Sequence, residues 1–116
     1  MPNITAHSLG VVPTDFDFSN ALKNGSGAGH YSHGVATGVS DEQVAWNYSP
    51  DGGGSSDGAA GIVAGYVIFK ANDGDAANYY GGALTAVTDS SFTVTFSNDG
   101  TAVGDLGASV IYKICR

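Results

Sequence analysis

Positive charge is scarce in this sequence. Lys23, Lys70, Lys113 and Arg116 are its only basic residues, against eleven acids, and the formal net charge is −7. Nucleic-acid binding needs a clustered basic footprint, and four scattered cations on an acidic chain argue against it. Cysteine is scarcer still, with Cys115 alone. One thiol closes no internal disulfide, so the chain does not read as a stapled miniprotein. Cys115 reads instead as a small buried apolar side chain ending the last strand. No apolar run approaches the ~18 residues of a membrane-spanning helix. The opening MPNITAHSLG has neither a basic n-region nor an apolar h-region, so no signal peptide is expected. Charged residues make up 13% of the chain, about half the usual share. Its surface must therefore be built largely from Ser, Thr, Asn and Gly.

What is present is alternation. In Gln43–Tyr48, Val44, Trp46 and Tyr48 take one face and Gln43, Ala45 and Asn47 the other. Phe92, Val94 and Phe96 alternate likewise with Thr93, Thr95 and Ser97. Further strands are expected at Gly34–Val39, Ile62–Ala71, Asn78–Val87 and Gly107–Cys115. The turns between them are Asp41-Glu42, Asn72–Asp75, Thr88–Ser90 and Asn98–Gly100. Gly81-Gly82 inside a strand signals a bulge or a close backbone approach. Only residues 14–23 hold a plausible helical turn. The pattern predicts one all-β domain, an antiparallel β-sandwich or small barrel of about six to eight strands. Residues 1–33 read as an irregular N-terminal arm, with a short strand near Ile4–Val12 and an edge-type strand at Thr14–Phe18. Residues 34–116 read as the β-sandwich itself. The glycine-rich Ser49–Gly61 reads as a long loop, and such loops tend to be functional.

Catalytic motifs explain little of the chain. Gly54-Ser55-Ser56-Asp57-Gly58 matches G-x-S-x-G, but that elbow needs a strand before it and a helix after it. Asn72–Asp75 resembles the start of a calcium loop, yet the Glu that closes such a loop is not there, since Glu42 is the only glutamate. His30 and His33 form H-x-x-H, the nearest approach to a metal site. Three ligands are normally wanted, so polar surface histidines are expected, with no metal or cofactor. The acids sit mostly in turns beside Gly, Asn or Ser, and no pair suggests itself for general acid–base work. The chain is not expected to be an enzyme. Trp46, the lone tryptophan, reads first as a core anchor.

The segment Gly65–Cys115 resembles a module of tailed-bacteriophage virion proteins. The likeness rests on Tyr66–Ala71, the aromatic strand Asn78–Gly82, Thr88–Phe96 (TDSSFTVTF) and Val110–Lys113. Val44-Ala45-Trp46 and Asp57–Ile62 are similar to a stretch of small head-decoration proteins, with Asn47–Ser56 between the halves. The resemblance implies a capsid decoration or cement protein on the virion surface, made in the host cytoplasm. It implies a homo-oligomer, with a trimer favoured, that stabilises the head lattice by binding the major capsid protein. The opening at Met1 without a stalk or heptad fits that expectation better than a fibre tip. The contact residues would lie in the N-terminal third, at Ile4, Leu9, Val11, Phe16 and Phe18, and in the glycine loop, at Asp51 and Asp57. The alternative is a tail-fibre or spike tip that binds a receptor or carbohydrate, with Trp46, Tyr79 and Tyr80 as stacking groups.

Overall fold

The computed structural model describes residues 2–23, 29–49, 59–72, 75–99 and 109–116. Asp51, Asp57 and most of the glycine loop lie outside them. The strands are β1 (Pro2–Ala6), β2 (Asp15–Lys23), β3 (Gly29–Gly38), β4 (Asp41–Ser49), β5 (Ala59–Ala64), β6 (Ile68–Asn72), β7 (Asp75–Val87), β8 (Ser91–Asp99) and β9 (Ser109–Cys115). They form two antiparallel sheets, a four-stranded one ordered β1-β8-β7-β6 and a five-stranded one ordered β5-β4-β3-β2-β9. No helix occurs among the described residues.

The alternating sequence produces alternating burial. Along β3, His30, Ser32, Gly34 and Ala36 point into the sandwich while Tyr31, His33, Val35 and Thr37 face solvent. A half-buried antiparallel sheet requires this period of two. Phe16 and Phe18 on β2, Leu84 on β7, and Phe92 and Val94 on β8 fill the space between the sheets with Ala36, Val67 and Ile68. The Phe92 ring meets the Phe16 and Phe18 rings edge-on, at centroid distances of 5.8 and 5.7 Å. A second cluster is built from Val44, Trp46 and Phe69, with Tyr48, Val63, Tyr66 and Tyr79 around it.

Strand β6 joins the two clusters. Val67, Ile68 and Phe69 are consecutive and only 0%, 2% and 1% exposed. Ile68 enters the first cluster and Phe69 the second. The five-stranded sheet curls around β6 as a half-barrel, touching it from β2, β3 and β4. An uninterrupted apolar run is what a strand buried on both faces needs. The closest approach is at Gly34, where an added Cβ would stand 2.0 Å from the Val67 carbonyl oxygen. Only a residue without a side chain lets the two backbones meet there.

Three sequence expectations are corrected. First, most of residues 1–33 is strand. β2 is an interior strand of the five-stranded sheet, paired with β3 on one side and β9 on the other. Alternation reveals one buried face but not how many neighbours a strand has, and the neighbour β9 comes from the far end of the chain. Second, Ile62–Ala71 is two strands in different sheets. Gly65 breaks it with φ +90°, and its N–H donates to the Glu42 carbonyl at 3.0 Å. A left-handed residue ends a strand, and glycine adopts that conformation without steric cost. Third, Asp41 and Glu42 begin β4. The turn before them is Val39-Ser40, closed by the Gly38–Asp41 pair. Gly81-Gly82 marks a close approach rather than a bulge: the Tyr66 ring lies 2.7 Å from where a Gly81 Cβ would be, and the bulge falls at Leu84/Ala86.

The strand ends flanking residues 24–28, 50–58, 73–74 and 100–108 share one end of the molecule. Pairing brings Lys23 to Gly29, Gly29 to Ser49, and Tyr48 to Ala59. In the other sheet it brings Asn72 to Asp75 and Tyr79 to Asp99. Val67 lies against Gly34, and the Phe69 N–H donates to Ser32 Oγ at 3.3 Å. β6 therefore runs opposite to β3, and both sets of ends point the same way. The glycine loop expected at Ser49–Gly61 thus starts and finishes here, with its last residues absorbed into β5.

Candidate functional site

The solvent face of the five-stranded sheet is the broadest regular surface of the molecule. At about 4.8 Å per strand spacing, its five strands span roughly 20 Å. Register sets Ile62, Ala45, His33, Ser19 and Ile111 in one row from β5 to β9. The neighbouring row runs Ala64, Gln43, Val35, Asp17 and Lys113. Ile62 and Ile111 are 73% and 75% exposed, and Tyr31 and Val35 also stand in solvent. Small side chains separate these apolar ones, so the face is low in relief. A shallow groove of about 440 Å³ crosses it between Tyr31, His33, Asn47 and Ile62.

Charge is segregated on this face. Asp15, Asp17 and Asp41 line a second hollow, of about 250 Å³, with Val35 and Thr37. Asp41 accepts a hydrogen bond from Thr37 Oγ1, and Asp17 Oδ1 lies 3.3 Å from His33 Nε2 in an exposed pair. Such a pair contributes at most about 1 kcal/mol. The half of the face carried by β5 and its neighbours Gln43, Ala45 and Asn47 bears no carboxylate.

The residues singled out from sequence fall into distinct environments. Ile4 is 70% exposed on the outer face of the four-stranded sheet beside Thr93, Leu9 is exposed, and Val11 is half-buried. Phe16 and Phe18, expected as contact residues, are each 2% exposed and belong to the core. Their alternation with Asp15 and Asp17 is the pattern of a strand with one buried face. His30 and His33 cannot share a metal, because residues three apart on a strand point to opposite faces. His30 is buried against the Tyr48 ring, at a centroid distance of 5.0 Å, whereas His33 is exposed. No group of three or more His, Cys, Asp or Glu side chains is placed to hold a metal among the described residues.

The three candidate stacking rings do not form one platform. Trp46 is 7% exposed and packs on Phe69, as the core-anchor reading expected. Tyr79 stacks on the same Phe69 at 4.9 Å and shares a 2.5 Å hydrogen bond with the Tyr66 hydroxyl. Tyr80 points the other way and stacks on Phe96. Cys115, expected to be buried, is half-buried.

Sequence reasoning missed Glu42. It is 6% exposed and bridges the two sheets. Oε1 accepts the Ser40 N–H at 3.0 Å and Oε2 accepts the Leu84 N–H at 2.7 Å. Ser40 holds φ 67° in the turn, a left-handed conformation unusual for serine. Burial raises the Glu42 carboxyl above its ordinary value of 4.5, against the two backbone N–H groups that lower it, and Asp41 raises it further. Only its being the lone glutamate, inside a strand that otherwise alternates, could have drawn attention to it.

Between 4.5 and the raised folded value of Glu42, the native state binds more protons than the unfolded chain. Stability from this group is therefore highest at the acid side of that window and falls as pH rises through it. Glu42→Gln removes the titration, so the urea-midpoint gap between wild type and variant should widen in favour of wild type on acidification. A gap that stays flat or narrows would show that Glu42 is not buried as described.

No protein family matches the chain, and neither a curated protein nor a solved structure matches it.

Proposed function

We propose that this chain is a structural protein of a phage virion, of the capsid decoration or cement type. It binds the assembled major capsid protein as a homo-oligomer and acts at the capsid surface, without catalysis. The observation that carries this reading is the set of large apolar side chains standing in solvent on a regular sheet, namely Tyr31, Val35, Ile62 and Ile111. Isolated exposed apolar residues are ordinary; these four share one face, spaced by Ala45, His33 and Ser19, and offer separate anchor points to a docked protein. Ile4 and Leu9 supply a second exposed set from the N-terminal segment. The resemblance of Gly65–Cys115 to virion modules supplies the class of partner.

A protein that binds the assembled lattice and not the free subunit stabilises the lattice by mass action. Linking several copies adds avidity without new contacts. The test is co-sedimentation of the purified chain with phage heads stripped of their decoration. Binding should saturate at a fixed ratio to capsid subunits, and free capsid subunits should bind far less. Val35→Asp, at an exposed position that leaves the core alone, is expected to weaken retention at least about tenfold. Failure to sediment with heads, or retention on tails alone, overturns the reading.

A further inference from the structure

We infer that the chain self-associates through the outer edge of β5, unpaired among the described residues, by pairing it antiparallel with β5 of a second copy about a two-fold axis. The inference stands apart from the lattice-binding reading, because it concerns the purified chain with no particle present.

An unpaired strand edge presents a row of N–H and C=O groups that will pair with any strand offered, so monomeric proteins protect their edges. The other terminal strands of these two sheets are protected. β1 is five residues long and begins with Pro2. β6 is wrapped by the half-barrel, and its Phe69 N–H is already bonded to Ser32 Oγ. β9 carries Lys113 on its outer face beside Asp17. β5 is only one residue longer than β1, but it has no proline, charge or cover among the described residues. Its sequence is Ala-Ala-Gly-Ile-Val-Ala, without charge, proline or bulge, and among the described residues it pairs only with β4.

The occupant follows from charge and shape. A chain of net charge −7 repels its own copies, so a contact between copies belongs on acid-free surface. Among the described residues β5 and its partners Gln43–Tyr48 carry no carboxylate, whereas Asp15, Asp17 and Asp41 line a hollow on the same sheet. A continuous sheet also requires paired residues to share a face, so the two-fold axis must pass midway between a residue and its own copy. Centring it on Ile62 sets that side chain, 73% exposed, against Ile62 of the second copy. Ala60 then meets Ala64 on the outer face. On the inner face Gly61 meets Val63, small against large. Antiparallel pairing of a strand with itself is self-complementary and closes as a dimer.

Sedimentation equilibrium on the purified chain tests this. A monomer–dimer equilibrium is expected. Ile62→Lys places two ammonium groups face to face at the axis and should raise the dimer dissociation constant about a hundredfold or more. Ile4→Lys and Ile111→Lys, at positions 70% and 75% exposed on other strands, should leave it unchanged. In a Cys115→Ser background, Ile62→Cys should yield a covalent dimer under mild oxidation and Ile4→Cys should not. All four positions carry exposed or half-buried side chains, so the fold is retained and circular dichroism checks it. A wild type that stays monomeric at high micromolar concentration, a trimer, or a dimer dispersed by Ile111→Lys and not by Ile62→Lys overturns the inference.

Discussion

Gly34→Ala should be the most damaging single-methyl addition in the protein, costing about 3 kcal/mol or more. The new Cβ would lie 2.0 Å from the Val67 carbonyl oxygen and 2.5 Å from the Val67 carbonyl carbon and Cα. These are backbone atoms, so no side chain can swing away. Contact distance is about 3.5 Å, and β6 would have to retreat by roughly 1.5 Å along the line of clash. That retreat pulls Phe69 N–H from Ser32 Oγ and loosens both clusters, since β6 feeds Ile68 to one and Phe69 to the other. A domain of this size has about 5–15 kcal/mol in all, so the loss is a large fraction of it. Urea unfolding followed by Trp46 fluorescence measures the change. Gly38→Ala is the matched control: its Cβ would meet nothing within 4 Å, so its effect should stay within about 0.5 kcal/mol. Equal midpoints for the two variants would refute the contact of β6 with β3.

Phe69→Ala should cost about 3–5 kcal/mol. The Phe69 ring is 1% exposed and lies between Trp46 and Tyr79, with Tyr66 against its edge. Removing it leaves a cavity bounded by three rings that cannot all collapse inward, because Trp46 and Tyr79 are held on opposite sheets. The Trp46 emission should shift to the red as water reaches the indole, which makes the sole tryptophan a direct reporter. A loss below about 1 kcal/mol with unchanged emission would place Phe69 outside the core. Val35→Asp, used against the phage heads, should by contrast cost only about 1 kcal/mol, because its side chain is half in water and the new carboxylate stands opposite Asp17.

Much of the fold was legible because antiparallel sheets with one wet face write their pattern into the sequence. Val44, Trp46 and Tyr48 alternate inward in β4, as do Phe92, Val94 and Phe96 in β8, and both strands lie where the alternation put them. The candidate site was less legible. Phe16 and Phe18 looked like residues for a contact arm because the strands that bury them come from distant sequence, β9 on one side and β8 above. Ile62 reads as the start of a strand running to Ala71. It stands instead 73% exposed on an edge strand, because Gly65 turns the chain into the other sheet three residues later. Glu42 carried no motif at all. Its environment is made by Leu84, forty-two residues away.

Local chemistry alone accounts for β4, β7 and β8 and for their inward and outward faces, since each depends on neighbours a few residues away. Pairing partners are a different matter. Whether β2 sits at an edge or inside, which strand β6 presses against, and which edge stays open depend on contacts between distant segments. Those contacts are selected by the packing of Ile68 and Phe69 on opposite faces of one strand, and no local pattern encodes it. The scarce charge of this chain acquires meaning at the same level: Asp15, Asp17 and Asp41 gather on one part of a sheet, and β5 itself carries no charge.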